Sequence, residues 1–83
     1  METKLNLLTI TAVISTIAHS DKPLSSIQVK RSVESRMPKD LAVNYDWHEY
    51  LYFLEHLTTQ GMAKQAGTDR DGHDMYEFTA KTN

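Results

Sequence analysis

The side chains of this 83-residue chain that are equipped for chemistry gather in its second half: His48, Glu49, Tyr52, Glu55 and His56, then Asp69, Asp71, His73 and Asp74. Imidazoles and carboxylates move protons and hold metals, so their spacing decides what they can do. His48 and His56 stand eight residues apart, roughly 80° around a helix, whereas a metal pair on one face is spaced i, i+4. Asp69-x-Asp71-Gly72-x-Asp74 has the carboxylate density of a calcium loop. Its glycine comes too early, however, and its twelfth position is Ala80 where a bidentate Glu is needed. A solvated turn accounts for it better. Gly61, Gly67 and Gly72 do not make a phosphate-cradling loop, and there is no cysteine to supply a thiolate. No catalytic residue, metal site or cofactor is therefore expected. What remains is a recognition surface, acidic and studded with Tyr and His.

The elements that position this surface follow from hydrophobic periodicity. Asp46 to Thr59 reads as a helix of about 46–59, with Trp47, Tyr50, Leu51, Phe53, Leu54 and Leu57 on its buried face. Asn44 or Asp46 is its cap, Asp46 having Glu49 at capping-box spacing, and Gly61 is its stop. Two strands, about 62–66 and 74–79, follow as a hairpin closed by Asp71-Gly72. All seven aromatic residues lie between Tyr45 and Phe78, so the core is built here and the N-terminal half must pack against it.

Upstream, a first helix of about 4–19 carries Leu7, Ile10, Val13, Ile14, Ile17 and Ala18 on a wide stripe. Leu5, Leu8 and Ala12 lie on nearly the opposite side, and a helix apolar on two faces has two partners, so these three are the expected homodimer contact. Met1 to Lys4 are expected to fray and Lys81 to Asn83 to form a tail. Pro23 breaks the chain, Leu24 suits a short edge strand, and Ser25 or Ser26 caps a second helix of about 26–37 that buries Val29, Val33 and Met37. Pro38 ends it, and in the connector Leu41 and Val43 are expected to tuck inward. One α+β domain, mostly α, with three helices and a C-terminal hairpin, is the expected architecture.

This order resembles the winged helix-turn-helix fold of small bacterial and phage transcriptional regulators. The resemblance is carried by Pro23-Leu24-Ser25-Ser26 before the second helix and by Tyr50-Leu51 through Leu57 with Gly61-Met62 ending the third. The run Asp69-Arg70-Asp71-Gly72-His73-Asp74-Met75-Tyr76-Glu77-Phe78-Thr79 is the wing. It implies that the third helix enters the major groove of DNA with His48, Glu49, Tyr52, Glu55 and His56 facing the groove, His48 and Tyr52 making the contacts, and that the hairpin brings Arg70 and His73 at the wing tip.

Charge qualifies that implication. The third helix has no Lys or Arg, and phosphate neutralisation supplies most non-specific DNA affinity. The cations sit around the second helix instead: Lys22, Lys30, Arg31, Arg36 and Lys39 against Glu34 alone. Gln28, Lys30, Arg31, Ser32 and Lys39 are thus the expected backbone contacts, with Gln28 and Ser32 beside Arg31. The competing expectation is a protein-binding module or inhibitor whose His48, Glu49, Tyr52, Glu55 and His56 dock on a basic, nucleic-acid-handling partner. A formal net charge of -2, no cysteine, no secretory leader and no spanning segment make the cytoplasm, not the membrane, the expected location.

Overall fold

The computed structural model describes residues 4–79. The expected frayed start at Met1 to Thr3 and the tail from Lys81 to Asn83 lie outside them. The order is α1 (Leu7–Ala18), β1 (Leu24–Ser25), α2 (Ser26–Arg36), α3 (Trp47–Thr59), β2 (Ala63–Thr68) and β3 (Asp74–Phe78). The domain is α+β, with three helices and a three-stranded antiparallel sheet in the order β1-β3-β2.

Helix α1 starts later than its apolar pattern suggests because Asn6 caps it, accepting the Thr9 N–H through its side chain. Leu5 therefore precedes the helix, at the position of a hydrophobic staple, and is buried. That removes Leu5 from the outward face proposed for a dimer. The buried face of α1 is Thr9, Val13, Thr16 and Ile17, which turns Leu7 out to 77% exposure although its spacing suggested a core position.

Helix α2 opens with a capping box: Gln28 N–H donates to the Ser25 hydroxyl, and Ser25 N–H donates to the Gln28 carbonyl oxygen. Val29 and Val33 are fully buried beneath it. The connector differs from expectation, since Leu41 and Val43 are 50% and 44% exposed. A turn in which the Pro38 carbonyl accepts both the Leu41 and Ala42 N–H groups holds the chain outward there.

Helix α3 is capped by Asp46, whose carboxylate takes the His48 N–H; the capping box expected with Glu49 is not formed. The helix ends in a Schellman turn. Gly61, at φ +77°, lets its own N–H reach the Thr58 carbonyl and that of Met62 reach Leu57. Tyr50, Phe53, Leu54 and Leu57 are buried, with Ala63 and Tyr76 from the hairpin completing the core. Trp47 lies outside that cluster and is only half-buried. Strand β1 pairs Leu24 with Tyr76 and Ser25 with Met75, so β3 is the central strand. β2 pairs with β3 through a register slip between Gln65 and Thr68. No helix among the described residues is long and apolar enough to cross a membrane.

Candidate functional site

Three surfaces arise from this frame. The first is the outer face of α3. His48, Tyr52 and Glu55 are exposed, and Glu49 and His56 are partly so. Five residues expected to act together are thus presented on one helix. His48 is committed within its own element: its Nδ1 lies 2.8 Å from an Asp46 carboxylate oxygen. The hydrogen bonds from the His48 backbone and ring hold the Asp46 carboxyl below the usual carboxylate range. The Trp47 ring stacks on His48 at 3.8 Å between centroids and meets His73 edge-on at 5.4 Å. His73 therefore sits at the joint between α3 and the hairpin, not at the wing tip as expected. Its N–H is bound by Asp69.

The wing tip itself is organised by Asp69, whose carboxylate accepts the Asp71 and His73 N–H groups at 2.9 Å each. Gly72 supplies the positive φ that the turn requires. Arg70 is exposed there; Lys64, farther down, is paired with Glu77 at 3.2 Å.

The second surface is α2, whose cations divide. Lys30 was expected to face phosphate, but its ammonium lies 2.5 Å from Glu34 and 3.0 Å from the Asn44 side chain, over the Tyr50 ring. It neutralises a carboxylate and fastens the connector. Gln28 spends its carbonyl oxygen in the capping box. Arg31 and Lys39 are exposed. Gln28 and Ser32 come together with Arg36 rather than with Arg31, in a concavity shared with the end of α1.

The third surface is an apolar groove of about 330 Å³ between α1 and the end of α2, lined by Leu8, Ala12, Val33, Met37 and Pro38 among others. Leu8 is 45% exposed at this groove and Ala12 is partly buried against the core beside it, while Leu5 is buried.

Two residues that sequence reasoning left out of the site are His19 and Trp47. His19 follows the last turn of α1 with no motif around it, and the apolar character of Trp47 suggests a core position. No protein-family model matches the chain, and a search of curated proteins finds no relative.

Proposed function

We propose that this chain is a winged-helix DNA-binding regulator. The observation that carries the reading is the element order α1-β1-α2-α3-β2-β3 with a β1-β3-β2 sheet, which sets a hairpin directly after an outward-facing third helix. In this reading α3 offers His48, Tyr52 and one carboxylate to base edges, where a Glu can accept from cytosine N4. Arg31, Lys39 and Arg70, which no carboxylate pairs with among the described residues, supply the phosphate contacts. Titration of a labelled duplex pool at about 50 mM and about 200 mM salt tests it, since the phosphate contribution is strongest at low salt. Binding at the lower concentration that fades at the higher is expected. No binding at low salt overturns the reading.

A second reading is favoured by one observation: the exposed face of α3 carries Glu49 and Glu55 and no cation, while Lys30 on α2 is neutralised by Glu34. That face suits a basic protein surface, with Tyr52, 46% exposed, as its anchor. Glu49→Arg with Glu55→Arg would strengthen duplex binding under the first reading and abolish a protein complex under the second. Arg31→Glu would abolish duplex binding under the first reading and leave a protein complex bound under the second.

The proposal extends to a homodimer through the groove lined by Leu8 and Ala12. Leu8→Glu should then convert a dimer to a folded monomer in sedimentation, and a wild-type chain that already sediments as a monomer removes this part.

A further inference from the structure

The concavity between the end of α1, β1 and α2 has a lining unlike the rest of the surface. It measures about 320 Å³, within the range of small-ligand sites. Arg36, Ser32 and Gln28 line it from α2, and Thr16 and His19 from α1 and its C-cap; Ser20 and Leu24 complete it. No carboxylate is among these residues, although the chain has eleven Asp and Glu against nine Lys and Arg. Asp21 and Lys22, which follow Ser20, carry opposite charges.

The polar groups are also oriented by bonds already made. Arg36 donates through Nη2 to the Thr16 hydroxyl and through Nε to the Ser32 carbonyl. A guanidinium has five N–H donors, so three remain, on a group whose rotamer is fixed from two sides. Gln28 has its carbonyl oxygen engaged by the Ser25 N–H, which leaves the amide NH2 as its remaining polar end. His19 lies with Nδ1 2.8 Å from the Ser15 carbonyl; a carbonyl only accepts, so Nδ1 carries the proton and Nε2 is the acceptor end of the ring, not a donor to an anion. Ser32 adds a hydroxyl. The donors of Arg36, Gln28 and Ser32, one of them a fixed cation, with no carboxylate to compete, fit a ligand rich in acceptors and negatively charged.

We propose that this concavity binds a phosphate monoester, with Arg36 as the cationic anchor and Gln28 and Ser32 completing the oxygen contacts. A small phosphorylated metabolite offers such a monoester, whereas a nucleic-acid backbone offers phosphate oxygens only as a diester. The site lies on the α1 flank of α2. Lys30 reaches the connector and Tyr50 from the other flank, roughly 160° around the helix from Gln28. A duplex lying on α3 would approach that second flank, so the free ligand is the better match. The inference stands on the lining alone and does not need the DNA reading.

The full chain, 15N-labelled, is titrated with inorganic phosphate, glycerol 3-phosphate and, as a neutral control, glycerol. Saturable amide shifts confined to residues 16–20, 28, 32 and 36 are expected, with a dissociation constant on the order of 1 mM for the bare ion and tighter binding of the ester. Glycerol should shift nothing. Gln28→Glu keeps a carboxylate oxygen for the Ser25 cap but replaces the amide donors with negative charge. It should fold unchanged and weaken phosphate binding by about tenfold or more. A short duplex in a parallel titration separates the sources: if it moves the same amides and competes with inorganic phosphate, the ligand is backbone phosphate; if it leaves them unmoved while the ester saturates, the ligand is the small molecule. Shifts that rise linearly, that spread equally to Lys39 and Arg70, or that persist in Gln28→Glu overturn the site.

Discussion

The two flanks of α2 start from the same residue chemistry and end in opposite electrostatic states. Toward α3, Lys30 has Glu34 one turn later and Asn44 across the connector, so its charge is closed off. Toward α1, Arg36 has Ser32 one turn earlier and Thr16 opposite; both accept hydrogen bonds but neither carries charge. The first cation is consumed as structure, and the second is held in place with its charge intact. Counting cations along a segment therefore says little about what a partner meets. What matters is whether a carboxylate lies at i±4 or across the nearest packed element.

The difference can be tested in order of expected effect. Both flanks rest on one core, so Leu54→Ala, at a fully buried position of α3, should cost about 2–5 kcal/mol in chemical denaturation and weaken both together. If the Arg36 concavity kept its ligand while the α3 side melted, the flanks would be independent units. Next comes a pH effect belonging to the Lys30 side. Burial foremost, then the nearby Glu34 and Tyr45 charges, raise Tyr50 from 10.0 to about 12. The folded state holds this proton more tightly than the unfolded chain. Its contribution is full below pH 10 and is lost as the pH climbs towards 12, a fall of about 2–3 kcal/mol. Tyr50→Phe should flatten that alkaline limb, although Tyr76, raised mainly by burial, keeps part of it.

Smaller effects separate the committed cations from the uncommitted. Lys30→Met leaves Glu34 and Asn44 without their partner and should cost about 1 kcal/mol in thermal or denaturant unfolding. Arg31→Met, at an exposed position, should stay within about 0.5 kcal/mol. Equal costs for the two would erase the distinction.

How far this was legible in the sequence depends on whether a feature is local. The third helix, the Gly61 stop and the Asp71-Gly72 turn are set by neighbours within a few residues and stand where their patterns put them, and of the two residues offered for each helix cap the structure uses Ser25 and Asp46. The first helix was read one turn too long because Asn6, a cap residue, sits inside the apolar run from Leu5 to Leu8. That displaced Leu5 to the outside and Leu7 to the inside. The buried face of α1 also centres on two threonines, and Thr16 is wanted there to meet Arg36, twenty residues away. The Lys30–Asn44 and Arg36–Thr16 bonds and the Trp47–His73 contact are such distant pairs, which no periodicity records, whereas the Lys30–Glu34 pair is local.

The register slip in β2 has a bearing on how partners are met. An exposed, regular strand edge invites another chain to extend the sheet, a mode of recognition that uses main-chain bonds and little side-chain detail. Here the β2 edge is broken by its irregularity between Gln65 and Thr68, and the β1 edge is two residues long and begins beside Pro23, which has no N–H to give. Both margins of the sheet are poor templates for strand addition. Recognition by strand addition is therefore disfavoured at this sheet, which leaves side-chain surfaces, the kind that single substitutions can rewrite.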